Sequence, residues 1–243
     1  MKVYQGHLRK MRTGLTGGAA QYQLPMGNEL IDCRTLIGKQ VQLSWDGTIE
    51  CVQCGRATKK SFQQGHCYPC MQKINECNNC IIHPERCLVE QGCCDPTHWA
   101  HQQCDAPHVV YIANTSGLKV GITRATNVPS RWVDQGAMQA IPIFTTQNRY
   151  QAGLVEVALK SHVGDKTQWR TMLKQDSVPM ALADEARRIM ASAAPALDEL
   201  MSRYPDDIQR LSEEAIDIAF PSHYLEKITS FSLDKTAEVS GTL

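Results

Sequence analysis

His108-Val109-Val110-Tyr111-Ile112-Ala113, then Asn114-Thr115-Ser116-Gly117, then Leu118-Lys119-Val120-Gly121-Ile122-Thr123 form the stretch whose reading decides the fold. Two apolar, β-branched runs separated by turn residues predict a β-hairpin. Asn127 offers a cap for a helix through Pro129, Arg131 and Trp132, with Pro129 in its first turn and Gly136 at its end. Ala140-Ile141-Pro142-Ile143-Phe144-Thr145 reads as a third strand, and its proline argues for a sheet edge. A helix from Tyr150 carries Leu154, Val157 and Ala158 on one side, with Glu156 and Lys160 one turn apart. The order β-β-α-β-α predicts one α/β unit over residues 107–176.

Upstream, Cys51-Val52-Gln53-Cys54 and Cys67-Tyr68-Pro69-Cys70 give C-x2-C-x12-C-x2-C, close to the spacing of a zinc ribbon. Each pair makes a tight knuckle aiming two thiolates at one point, and two knuckles complete a tetrahedral sulfur site for zinc. The loop between them carries Arg56, Lys59 and Lys60 and no acid, with Phe62 inside it and Tyr68 just behind. Zinc would fold this short segment. Its cations suit phosphate, and Phe62 or Tyr68 suits stacking on a base.

A second cysteine-rich stretch holds Cys77, Cys80, Cys87, Cys93, Cys94 and Cys104, with His83, His98 and His101 among them. It lacks the apolar periodicity to hold itself, and metal would supply that folding energy. Cys80, Cys87, Cys94 and Cys104 are the expected ligands of a second zinc, with Cys77 and Cys93 as substitutes. Free thiols in an irregular loop are the other reading. Residues 51–106 are thus a zinc-binding region.

The flanks differ from this middle. Residues 1–50 read as a β-rich domain, where Val41, Leu43 and Trp45 alternate with polar residues and Asp46-Gly47 marks a hairpin. Cys33 stands alone there and reads as a small buried hydrophobe. Residues 177–221 read as helical: Leu182, Ala186, Ile189 and Met190 recur with helical period, Pro195 breaks the run, and Ile208, Leu211 and Ile218 belong to a further helix. The acids there read as its solvated face. After Pro221 strands return, with Ile228, Ser230 and Ser232 alternating with Thr229, Phe231 and Leu233, and Val239 to Leu243 begins another apolar stretch. Residues 222–243 are expected to complete the N-terminal β domain, making the chain α+β overall.

The whole chain sets outer bounds. Its 243 residues are 42% hydrophobic and 21% charged, as in a globular protein. No apolar run approaches the roughly 18 residues of a membrane span. The polar, basic start argues against a secretory signal. Eleven cysteines, an odd number partly arranged as C-x2-C pairs, point to metal-bound thiolates in a cytoplasm rather than to disulfides. Matched knuckles also suit metal better than thiol redox chemistry. Lysine plus arginine equals aspartate plus glutamate at 25 each, so any pull on nucleic acid must be local. Residues 51–75 and 118–131 lean basic, and 182–217 lean acidic.

Two resemblances follow from particular strings. Leu8-Arg9-Lys10-Met11, Cys54-Gly55-Arg56, Thr58-Lys59-Lys60-Ser61-Phe62 with Gln64-Gly65, Cys67-Tyr68-Pro69-Cys70 and Pro84-Glu85 resemble a bacterial zinc-protein family, domain of unknown function 2797. Lys119-Val120-Gly121-Ile122-Thr123-Arg124, Arg131-Trp132-Val133-Asp134-Gln135-Gly136-Ala137 and Asp165-Lys166-Thr167 with Trp169 fit the same family, which brings no activity with it. The β-β-α-β-α block is similar to the GIY-YIG nuclease fold. Val109-Val110-Tyr111 sits at the first signature triplet and Lys119-Val120-Gly121 at the second, with lysine in place of its tyrosine. Arg131 matches the superfamily arginine and Glu156 its metal-binding carboxylate. The superfamily's downstream asparagine has no counterpart.

That resemblance implies phosphodiester hydrolysis of DNA or RNA with one Mg2+ or Mn2+ held by Glu156. Arg131 would grip the phosphate. Tyr111 would take the proton of water, with Lys119 lowering its pKa. Lys160 or His162 would contact the scissile phosphate. The ordinary structural roles stand beside these: Tyr111 as a core aromatic, Arg131 paired with Asp134, and Glu156 with Lys160 as a helix salt bridge. A nonenzymatic zinc-binding adaptor for nucleic acid or protein is the reading from a different class.

Overall fold

A computed structural model of the chain describes residues 3–63, 65–73, 79–92, 102–163, 173, 178–221 and 227–243. Cys77, Cys93, Cys94, His98, His101, Gln64, Asp165, Lys166, Thr167 and Trp169 lie outside the described residues. The protein is a mixed α+β chain whose described residues form three separate sheets and a few helices.

The central sheet is antiparallel. Its strands β5 (His108–Asn114), β6 (Leu118–Arg124), β7 (Gln139–Thr146) and β8 (Ile208–Arg210) run in the order β6-β5-β7-β8, and β9 (Ile216–Asp217) also pairs with β7. All seven residues of β5 are buried, which explains why that strand is apolar without alternation. Its side chains still alternate between two cores. Val110 and Ile112 face helices α3 (Arg149–Lys160), α4 (Leu182–Ser192) and α5 (Ala194–Arg203), through residues such as Val155, Leu159, Ile189 and Leu197. Tyr111 and Ala113 face the other way, onto Trp132 and Val133 of the short helix α2 (Ser130–Asp134), with Ala20 and Ile218. Tyr111 and Trp132 meet edge-on with ring centroids 6.0 Å apart.

Several expectations are corrected. Strand β7 is interior rather than at an edge, since β5 pairs on one side and β8 and β9 on the other. Pro142 is tolerated because the register slips there: Val110 opposes Phe144 while the next residue, Tyr111, opposes Pro142. The segment around Ile208 and Ile218 is two short strands, not a helix; sheet pairing to β7 overrides the helical spacing of its apolar residues. Asp46-Gly47 makes a turn, with the Asp46 carboxylate accepting from Thr48 N–H at 2.9 Å, but it closes no hairpin. The strand before it, β4 (Gln40–Ser44), pairs instead with the C-terminal β10 (Glu238–Thr242), while residues 227–237 contain no strand.

The N-terminal strands β1 (Arg12–Thr16), β2 (Ala19–Met26) and β3 (Glu29–Asp32) form a meander. It docks on α2 through Ser130 Oγ, which donates to Thr13 O at 2.9 Å. Ala20 N–H donates to Ala219 O and Ala219 N–H to Gly18 O, both at 2.8 Å. This docking carries Lys10 and Arg12 to the mouth of a cleft in the central domain.

Candidate functional site

Two places gather chemistry. The first is local. Cys51, Cys54, Cys67 and Cys70 bring their sulfurs within 4.8 Å of one another. Backbone turns close the set. Gly55 N–H donates to Cys51 O at 2.9 Å, Val52 N–H to Gly65 O at 2.9 Å, and Phe62 and His66 exchange two bonds at 2.8 Å. Gly55 at φ +69° and Gly65 at φ +111° hold conformations that disfavour side chains. A short helix α1 (Tyr68–Met71) begins after the buried Cys67 and presents Cys70.

The thiols are uneven. Burial works against the Cys51 thiolate, but N–H groups of Cys67, Cys54 and Gln53 outweigh it and bring its pKa to about 6. Cys70 is pushed up to about 12, first by its hydrogen bond with the Cys67 thiol and then by burial. One thiol ionises easily and the last resists, as four sulfurs at one point must without a cation between them. Four thiols in such a cluster can hold a zinc ion. Beside them the exposed Lys60 ammonium lies 5.3 Å from the centre of the Phe62 ring, which meets Tyr68 edge-on at 5.5 Å. Arg56 and Lys59 are exposed on the same loop.

The second place is assembled across the chain. A cleft of about 940 Å³ is lined by β6, α2, the cleft face of α3, the residues before β1 and the turn at Ile81, Ile82 and Pro84. Among the described residues, Lys10, Arg12, Lys119, Arg124, Arg131, Arg149 and Lys160 line it against Asp134 and Glu156, so its lining is strongly basic although the chain is neutral. Asp134 is taken by Lys10 Nζ at 2.7 Å and Thr13 Oγ1 at 2.6 Å, not by Arg131. Lys160 Nζ lies 3.4 Å from Glu156 Oε1. Burial holds the Glu156 pKa above the ordinary carboxylate range, and Lys160 and Arg149 oppose that rise.

Tyr111 is fully buried and does not line the cleft itself; it lies beneath Gly121, which does. It is opposite Gly121 in the β5–β6 register, and a Cβ on Gly121 would fall 2.6 Å from the Tyr111 hydroxyl. That hydroxyl donates to Gln135 Oε1 at 2.5 Å. Burial pushes its pKa up to about 12; the charges that act most on it are Arg131, which lowers it, and Glu156, which raises it. The expectation that Lys119 makes Tyr111 a ready base is therefore corrected, because burial dominates.

Lys119, Arg131, Glu156 and Lys160 thus meet in one cleft above Tyr111. His162 does not: it is exposed beyond the end of α3. Of the second cysteine set, Cys80, Cys87 and Cys104 are of intermediate exposure, and Cys94 lies outside the described residues. Sequence reasoning missed Arg149, Arg124, Lys10 and Arg12. Arg149, seven residues before Glu156, had a readable signal, since two helical turns place both on one face. Lys10 and Arg12 reach the cleft through tertiary docking, which no local pattern announces.

A mixed α+β protein with a four-cysteine cluster and a basic cleft is the class that fold and site define. The chain belongs to DUF2797, a family of proteins of unknown function, which matches residues 38–243. No curated protein and no solved structure matches the chain significantly. No helix among the described residues is long and apolar enough to cross a membrane.

Proposed function

We propose that the cleft binds a nucleic-acid backbone and hydrolyses a phosphodiester bond, as a GIY-YIG-like endonuclease using one Mg2+ or Mn2+. The observation that carries this reading is the convergence of Lys119, Arg131, Glu156 and Lys160 on a single basic cleft over Tyr111. The central β5 flanked by β6 and β7, with Tyr111 opposite Gly121, supports it too. Glu156 fits a divalent cation as the carboxylate of a partly buried site, leaving further positions for water and substrate oxygens. Bound there, the ion supplies Lewis-acid stabilisation of the phosphate. Arg131 and Arg149 orient the phosphate and offset its charge. Tyr111, neutral at physiological pH, keeps Gln135 and the floor in place.

On this reading the Cys51–Cys70 cluster is a zinc ribbon, and Arg56, Lys59, Lys60 and Phe62 contact nucleic acid beside it. The protein would work in the cytoplasm. One observation favours a nonenzymatic adaptor instead: Tyr111 is fully buried and does not line the cleft, which is thus without that base. Cleavage of mixed DNA and RNA structures by zinc-loaded wild type and Glu156→Gln, with Mg2+, Mn2+ or neither, separates the two. Metal-dependent cleavage lost in Glu156→Gln is the expected result. Tight binding by both proteins with no cleavage establishes the adaptor.

A further inference from the structure

A second cavity, of about 500 Å³, opens where the N-terminal meander docks on the central domain. Its apolar lining comes from distant parts of the chain: Met11 before β1, Tyr22 on β2, Ile37 after β3, Val133 on α2, Met138 before β7 and Phe220 after β9. Val133 is buried, whereas Met11 and Ile37 are exposed, so the cavity opens to solvent on their side. Lys10, Met11, Thr13 and Asp134 also line the basic cleft, and the two spaces share that wall.

Hydrogen bonds tie each wall to the next. Thr13 Oγ1 donates to Asp134 Oδ1 at 2.6 Å and joins β1 to α2. Ala20 N–H donates to Ala219 O at 2.8 Å and joins β2 to the residues after β9. Ile218 N–H donates to Met138 O at 2.8 Å and joins those residues to the start of β7. The space is therefore preformed rather than a gap between loose parts, and a ligand that enters it meets walls already in order. Its volume falls within the roughly 300–1,000 Å³ of small-molecule sites, which favour such junctions between parts of a fold.

The lining also selects the occupant by charge. Lys10 Nζ is held by Asp134 Oδ2 at 2.7 Å, and Arg34 Nη2 by Asp32 Oδ2 at 2.9 Å. A charged guest would have to break one of these pairs or lie among apolar groups without a counter-ion, and both cost more than a neutral guest pays. Water fits an apolar cavity poorly, because it needs several polar partners there. The Tyr22 and Phe220 rings favour another ring at their side, and the sulfurs of Met11 and Met138 make favourable contacts with aromatic edges.

We propose that this cavity is a binding site for a small, uncharged aromatic molecule, separate from the basic cleft but sharing its Lys10–Asp134 wall. The site stands whether or not the cleft acts on nucleic acid, because its test contains none.

The test titrates the full-length protein with phenylnaphthylamine, a neutral aromatic probe whose fluorescence rises in apolar surroundings, and with anilinonaphthalene sulfonate, the same rings carrying a negative charge. Saturable binding of the neutral probe at one site per chain is expected, with the sulfonate at least about tenfold weaker. Ile37→Glu places a carboxylate at the cavity and outside the cleft, and should weaken the neutral probe by about tenfold. No saturable binding overturns the proposal. So does equal or tighter binding of the sulfonate, or an unchanged affinity in Ile37→Glu. Should that variant not fold, hydrogen exchange of wild type decides. Slower exchange of the Ile218 and Ala219 amides with the neutral probe bound supports the site, and unchanged exchange there overturns it.

Discussion

The cysteine cluster and the cleft are built in opposite ways. All four sulfurs of the cluster come from residues 51–70, and the turns that aim them are hydrogen-bonded within or just beside that stretch. The cleft draws on residues from Lys10 to Lys160 and exists only once the meander, the sheet, α2 and α3 are packed together. A site closed within one loop depends on its metal. A site assembled from distant elements depends on the core beneath it. Damage to each should therefore spread differently, and this can be measured.

The largest effect is expected at the cluster. Metal binding to structural thiolate sites contributes on the order of 10 kcal/mol of local folding free energy. Cys67→Ser removes a buried cysteine of the cluster and should abolish zinc binding there and hydrogen-exchange protection across residues 51–70. Protection in β5 and β7 should persist. Loss of protection throughout the chain would show that cluster and core are one cooperative unit, and the contrast would fail.

The same contrast explains what the sequence disclosed. Cysteine spacing is a covalent-range signal, so the four clustered sulfurs were legible in full. The order of strands and helices from His108 to Lys160 was legible because β5 is buried on both faces and α3 has one apolar side. Pro142 misled because the β-bulge that accommodates it is a property of the pairing, not of the strand. Residues 208–218 misled because short edge pairings to β7 outrank a weak helical period. Tyr111 reads as a strand residue in the sequence, while the burial of its hydroxyl appears only in three dimensions. Arg12 and Lys10 could not be read at all, as they enter the cleft from another sheet.

A middle-sized effect tests the core beneath the cleft. His108 opens β5 and is fully buried, with Nδ1 2.7 Å from Ala106 O and Nε2 unpartnered. Burial lowers its pKa from 6.5 to about 4, opposed by the bond to Ala106 and aided by Arg149 and Arg124. The unfolded chain binds this proton more readily, so the contribution to stability is whole above pH 6.5 and is lost as pH falls toward 4. At about 1.4 kcal/mol per unit, the loss is about 2 kcal/mol by pH 5 and about 3 by pH 4. Urea unfolding at these pH values, followed by a probe of the central sheet, reads it. His108→Gln should flatten the acid limb for that sheet while leaving acid release of zinc from the cluster unchanged. An equally steep limb in the variant would remove His108 as its source.

The smallest effect concerns how the cleft wall is seated. Gly153 lies on the buried face of α3, and a Cβ there would meet the Pro84 ring and Glu85 N, both at 2.8 Å. Elsewhere on a helix, glycine-to-alanine substitution stabilises by roughly 0.5–1 kcal/mol. Here the added methyl strikes backbone and a rigid ring, neither of which can turn aside, and overpacking of this kind typically costs about 1–3 kcal/mol. The two terms oppose, so Gly153→Ala should lower stability by only about 1 kcal/mol. It should displace Ile81 and Ile82 from the cleft while leaving the Cys51–Cys70 cluster metallated. Weaker nucleic-acid binding with metal still held by the four cysteines would tie the wall to the cleft's function. A stabilised protein with unchanged binding would show that the 79–87 turns yield easily and that the wall is not a fixed part of the site.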